Sequence, residues 1–336
     1  MAARRLRLPL DPYLLALLAT VALAFLLPAR GGARTVLNGA TYAAVAGLFF
    51  LYGAKLSPRA VWTGLTHWRL QALVFASTYV LFPLIGLAIG VLARPLLPAD
   101  IVAGLVFLCL LPSTVQSSIA FTSIARGNVA AALCSASLSN MAGVVVTPLL
   151  VSLILPTSGG LSLSSLSDIG LQILLPFALG QMLRPWIGAG LGRHARITGL
   201  MDRGSILLIV YAAFGAGVVG GVWKRVSGHT LILILVFDLL ILAVVIALTT
   251  WASRRVRAST EDEIAIVFCG SKKSMASGIP MANILFAGHA VGLVVLPLMI
   301  FHQAQLFVCA TLARRYAARP RVEDALAGSR LGVGGQ

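Results

Sequence analysis

Lys272 and Lys273 stand side by side inside an apolar run that reads Ile264-Ala-Ile-Val-Phe-Cys-Gly-Ser before them and Ser-Met-Ala-Ser-Gly-Ile-Pro280 after them, continuing to Phe286. If that run crosses a membrane, each ammonium near its centre costs about 2.5–3.5 kcal/mol on insertion scales, so the pair needs a reason beyond packing. Both lie too far from the ends of the run for their stems to carry the charge to the interface. Three readings stand. Together with Gly270, Ser271 and Ser274 the lysines bind a substrate or ion. Or they bond to carbonyls of a broken helix and only brace it. Or the run is interrupted by a loop that holds them.

A second run, Ile101 to Ile124, is interrupted by Pro112-Ser113-Thr114-Val115-Gln116-Ser117-Ser118. Ser113, Thr114, Gln116, Ser117 and Ser118 supply neutral oxygens and donors for an ion or polar substrate. Opened backbone at membrane depth is tolerated only where it is buried in protein or lines a cavity. The alternative is a proline-kinked helix whose hydroxyls bond to its own carbonyls. Ser135, Ser137, Ser139 and Asn140 form a polar stripe in the next run, which suits helix packing as well as ligand binding. Asp238 is the one carboxylate deep in an apolar run; it could pair with a lysine, relay protons or cap a helix. His302, Gln303 and Gln305 make a weaker cluster. The four cysteines, Cys109, Cys134, Cys269 and Cys309, all fall in apolar runs and read as buried free thiols, with no metal-ligand spacing. No protease, hydrolase or nucleotide-binding signature occurs, so no cofactor and no catalytic residue is expected.

The elements that position these residues follow from composition. Of 336 residues 59% are hydrophobic and only 11% charged, with a mean hydropathy of +0.95. A soluble domain carries about 25% charged residues, so a polytopic all-α membrane protein is expected, in contact with the lipid bilayer. The formal net charge of +16 does not point to nucleic acid, because the basic residues are scattered in short groups between apolar runs. Runs near 12–28, 36–55, 70–93, 101–125, 129–155, 168–187, 203–222, 230–252, 264–286 and 290–313 are long enough to span. The first could be a cleaved signal segment ending near Ala33; a retained helix fits the span count better. With both termini cytoplasmic, 19 Lys and Arg fall inside and 5 outside, and the two lysines of the ninth run complete the total; this is the bias of the positive-inside rule. The five tryptophans, at 62, 68, 186, 223 and 251, lie at span ends.

The ten expected spans divide at the uncharged loop 156–167, five to each side. An odd number makes the halves enter from opposite sides, the inverted-repeat construction of many secondary transporters, and the interrupted runs occupy matching fourth and ninth places. One membrane domain is expected over 1–320, with repeats at about 10–155 and 165–315 and a loose tail at 321–336.

Several segments carry a resemblance. They are Leu174-LPFALGQMLRP-Trp186, Ser205-ILLIVYAAF, Ile266-VFCGSKKSMASGIPMANILFAGH-Ala290, Leu296-PLMIFHQAQL-Phe307 and Ala125-RGNVAAALCSASLSNMAGVVVTPLL-Val151, with Ser-Lys-Lys-Ser followed by Gly-Ile-Pro the most specific. The chain resembles the bile acid:sodium symporter superfamily, in its symporter-like branch of bacterial proteins with a human solute-carrier member. That resemblance implies a bacterial inner-membrane location and ten helices in two inverted repeats. Panel helices would lie within 12–55 and 168–222 and core helices within 70–155 and 230–313, with helices 4 and 9 broken and crossing. It also implies alternating-access transport of an organic anion. The sodium-site glutamate of the coupled members falls near Phe268, and the residues after it near Ser271, Lys272 and Lys273. The fifth-span hydroxyl ligands fall near Ala132 and Ala136, beside Ser135 and Ser137, and a fourth-span Ser-Asn pair falls on Ser118 and Ile119. No acid occurs between Glu263 and Phe286. Sodium coupling is therefore not carried over, and no metal site is expected. A lysine ammonium takes the cation's place, and since an ammonium out of water gives up its proton more readily, proton exchange is the other option. A membrane sensor of ion homeostasis, moving no solute, is the competing function.

Overall fold

The computed structural model describes residues 12–55, 67–155, 171, 175–287 and 290–319. The loop 156–167, Trp62 and the tail at 321–336 lie outside them. Every regular element among the described residues is helical: α1 (Pro12–Leu26), α2 (Gly32–Lys55), α3 (Trp68–Ala93), α4 (Ala99–Leu110), α5 (Gln116–Ile124), α6 (Val129–Ile154), α7 (Leu175–Arg193), α8 (Ala195–Val219), α9 (Gly228–Arg255), α10 (Thr260–Gly270), α11 (Met275–Leu285) and α12 (Val291–Ala317). Among the described residues α2, α3, α6, α8, α9 and α12 are long and apolar enough to cross a membrane. The fourth and ninth expected spans are each two short helices with a gap between them.

The breaks have local causes. Leu111 turns extended (φ −78°, ψ 156°) because the residue before a proline avoids helical backbone, and Pro112 has no N–H with which to continue α4. At the other gap, the Ser271 hydroxyl bonds back to Val267 O at 2.6 Å. Ser274 then caps α11 by accepting from Ser277 N at 3.2 Å. Asn128 and Ser259 cap α6 and α10 in the same way. α3 is also irregular: a π turn at Ser77–Leu81 inserts one residue and shifts the faces on either side of it.

α1, α2, α7 and α8 pack on one another, and α3 to α6 pack with α9 to α12. Glycine sets the closest approaches. A Cβ on Gly53 would lie 2.0 Å from Phe177 O, one on Gly180 2.0 Å from Phe50 O, and one on Gly104 2.3 Å from Val294 O. The α2–α7 and α4–α12 pairs thus touch backbone to backbone. α8 meets the second group at α11 and α12. There Trp223, stacked on Phe214 with centroids 4.8 Å apart, fills the space left by Gly217 and Gly292. Large apolar side chains such as Leu84, Val91, Leu153 and Ile232 are exposed on the long helices, as lipid contact requires. The molecule is an integral membrane protein.

Candidate functional site

A helix end in a membrane interior leaves carbonyls that must find partners, and both gaps satisfy theirs from the other gap and its neighbours. At the end of α4, Leu110 O accepts Thr147 Oγ1 at 2.8 Å and Leu111 O accepts Lys273 Nζ at 2.6 Å. Pro112 O accepts Ser274 N at 2.9 Å, and Ser113 O accepts Asn140 Nδ2 at 2.7 Å. At the end of α10, Phe268 O accepts Ser118 Oγ at 3.0 Å, Cys269 O accepts Ser113 Oγ, and Gly270 O accepts Ser77 Oγ at 2.7 Å. The two gaps therefore meet in the interior and hold each other open.

The lysines divide there. Both are fully buried, but they point to different partners. Lys273 Nζ bonds to Leu111 O and, at 3.0 Å, to Thr78 O in the π turn. It also lies 3.9 Å from the Phe82 ring centre. Its main chain is clasped by Gln305, which accepts from Lys273 N at 2.9 Å and donates to Lys273 O at 3.1 Å. Lys273 is thus bonded as a brace. Among the described residues Lys272 Nζ has one hydrogen bond, to Ser117 Oγ at 3.2 Å. It otherwise faces the rings of Phe121 at 4.6 Å and Phe268 at 5.7 Å, a cation–π environment that leaves donors over. No carboxylate pairs with either ammonium among the described residues.

The remaining expected residues separate as follows. Thr114, Ser117 and Ser118 form one hydroxyl cluster, with Thr114 Oγ1 2.7 Å from Ser117 Oγ and 3.1 Å from Ser118 Oγ. Asn140 Oδ1 accepts Ser277 Oγ at 2.8 Å, and Gly270 packs under Ser77. Ser135 is buried with its hydroxyl unpaired. Ser137 is half-buried and Gln116, at the start of α5, is exposed. The pairing offered for Asp238 is not made: it is fully buried and neither carboxylate oxygen has a hydrogen-bond partner. The cause is its place on α9 between Phe237 and the apolar face of Ile234, Ile241 and Leu242. An unpaired buried polar group costs roughly 1–3 kcal/mol. Asp238→Leu is accordingly expected to raise the thermal midpoint in detergent; a fall of several degrees would reveal an essential partner.

Composition and spacing did not single out Gln71, Thr78, Thr147 or Ser277. Gln71 is buried on α3 with both amide atoms unpaired. A glutamine in an otherwise apolar stretch was the available signal.

Residues 11–318 match the model of the SBF-like CPA transporter family. The Pseudomonas aeruginosa protein PA2026 is 54% identical over 92% of this chain and 93% of its own. YfeH of Escherichia coli, named as a candidate symporter, is 50% identical over 91% of this chain and 93% of its own. Sodium/bile acid cotransporter 7 of Rattus norvegicus is 31% identical over 81% of each chain. The family is one of transporters, not enzymes, and the chain belongs to it: a member of the SBF-like CPA transporter family, related to the bile acid:sodium symporters.

Proposed function

We propose that the protein is a secondary transporter that carries a small organic anion by alternating access, with Lys272 supplying the positive charge that a bound cation supplies elsewhere. The observation that carries this is the Lys272 ammonium: buried, free of any acid partner among the described residues, held by one hydroxyl, and backed by two aromatic faces. An uncompensated buried charge is costly, and an anionic substrate offsets it. The Thr114 and Ser117 hydroxyls, 2.7 Å apart, add polar atoms beside it. Lys273 sets the gap geometry. No acidic side chain stands at the gaps among the described residues, which supports transport without sodium and leaves a proton as the candidate co-substrate.

Inverted repeats support the same reading. Helix contacts come in matched pairs when the halves are exchanged: α1 on α8 as α7 on α2, α3 on α4 as α9 on α10, α5 on α6 as α11 on α12, and α4 on α12 as α10 on α6. We take α1, α2, α7 and α8 as the panel and the rest as the core, in ten spans with both termini cytoplasmic. The substrate then lies between panel and core.

The test uses the full chain in liposomes. Counterflow of labelled taurocholate and of a panel of smaller labelled organic anions is measured in sodium and in potassium buffers. Uptake at equal rates in both is expected for at least one anion. A strict sodium requirement overturns the coupling, and absence of counterflow for every anion that shifts the thermal midpoint favours the sensor function.

A further inference from the structure

A second cationic site lies away from the helix gaps, on the face that carries the arginine-rich turns. A cavity of about 280 Å³ opens there between the first turn of α3 and the turn joining α9 to α10. Its polar rim is His67, Arg69, Arg257, Ser259 and Asp262, and its wall includes Leu73 and Ile266. Arg254 nearby is committed to Glu263 through two hydrogen bonds of 3.0 and 3.2 Å. Arg69 and Arg257 have no acid partner among the described residues. The one carboxylate on the rim, Asp262, already accepts Asn128 Nδ2 at 2.8 Å. The rim is therefore cationic on balance.

Two further observations indicate what fills it. Arg257 closes α9 in the left-handed region, φ 56°, with Arg257 N on Arg254 O at 3.1 Å and Ala258 N on Ser253 O at 3.0 Å. That is the position where glycine is the ordinary choice. An arginine there accepts backbone strain, and it lines the cavity. Trp68 beside it is 65% exposed and lies under the Arg69 guanidinium at 5.6 Å, the pairing of an interfacial ring with a headgroup-level charge. Val256 lines the cavity and is 45% exposed, and beyond Leu73 the outer face of α3 continues apolar through Val80 and Leu84. The site thus runs from two arginines without an acid partner among the described residues to a lipid-facing apolar surface.

We propose that this cavity binds the phosphodiester headgroup of one anionic phospholipid, with Arg69 and Arg257 on the phosphate and the acyl chains along α3. Basic pockets between membrane helices on the cytoplasmic side take such headgroups. The cavity lies at the first turns of α3 and α10, and further along both helices Ser77 bonds to Gly270 at 2.7 Å, so the lipid ties together the outer ends of two elements that meet at the helix gaps.

The test measures binding to the purified full chain in neutral detergent, by thermal midpoint and native mass spectrometry, with phosphatidylglycerol, phosphatidylcholine and inorganic phosphate added separately. Phosphatidylglycerol is expected to raise the midpoint and to remain bound, and phosphatidylcholine is not. Arg69→Gln with Arg257→Gly is expected to weaken phosphatidylglycerol binding at least tenfold without loss of fold, because glycine relieves the positive φ. Arg257→Lys, which keeps the charge, is expected to retain binding. Equal binding of the two lipids, undiminished binding by the double variant, or an equal shift with inorganic phosphate at the same concentration would each overturn the assignment.

Discussion

Lys273→Met is expected to destabilise the protein by at least ~2 kcal/mol, whereas Lys272→Met leaves its stability unchanged or higher and sharply lowers transport. The difference follows from what each ammonium holds. Removing Lys273 Nζ leaves Leu111 O and Thr78 O, both now bonded to it at 2.6 and 3.0 Å, without partners in a dry interior. Each stranded buried acceptor costs roughly 1–3 kcal/mol, and the buried charge removed with it offsets part of the sum. Methionine preserves most of the length of the side chain, so the loss is of bonds and not of volume. Lys272 Nζ gives up one hydroxyl, Ser117 Oγ at 3.2 Å, and two ring faces that methionine sulfur also suits. Its deletion removes an unpaired buried charge. Counterflow should fall at least tenfold, equivalent to about 1.4 kcal/mol of binding or transition-state free energy. The measurements are the thermal midpoint and counterflow on the same preparations. Equal thermal losses in the two variants would remove the distinction between brace and binder.

Gly180→Val is expected to have an effect of similar size in a different part of the molecule. The Cβ would sit 2.0 Å from Phe50 O and 2.9 Å from Ala54 N. Overpacking ordinarily costs about 1–3 kcal/mol when side chains can shift aside. Here the obstacle is helix backbone, and the reciprocal contact of Gly53 with Phe177 O prevents α2 and α7 from rolling away. The pair must separate along its length, and folded protein recovered by size exclusion should drop severely. Gly190→Ala on the same helix meets nothing within 4 Å, and it should gain roughly 0.5–1 kcal/mol from helix propensity. Similar recovery of both variants would show that the close crossing does not hold the pair.

The legible part of this molecule was the part written in local chemistry. Pro112 and the Gly270–Ser274 stretch announced two interruptions, and the apolar runs around them announced an all-helical membrane protein. The lysines announced themselves by their cost. What each polar group bonds to was not legible, because those partners lie far apart in the chain. Ser113 reaches Cys269 and Ser118 reaches Phe268, so each of these two hydroxyls closes a helix end in the other half of the chain. Thr78 offers a carbonyl to Lys273 from within a π turn that no residue pattern in α3 advertised. Gln116 resembled its polar neighbours in type, but one residue along a helix rotates the side chain by about 100°, which carries it outward while Ser117 meets Lys272. Asp238 looked like a counter-charge because it was the one acid in a span; the apolar face around it leaves it alone.

The stacking of Trp223 on Phe214, in the space left by Gly217 and Gly292, has an optical consequence. Among the described tryptophans, Trp68, Trp186 and Trp251 are exposed, whereas Trp223 is half-buried and donates to Phe214 O at 3.2 Å. It touches both α8 and α12, the helices through which the two packed groups meet. A chain in which the other indoles are replaced by phenylalanine carries a native fluorophore at that seam. Any sliding of one group against the other changes its ring stacking and hydration, and with them its emission, without an attached dye.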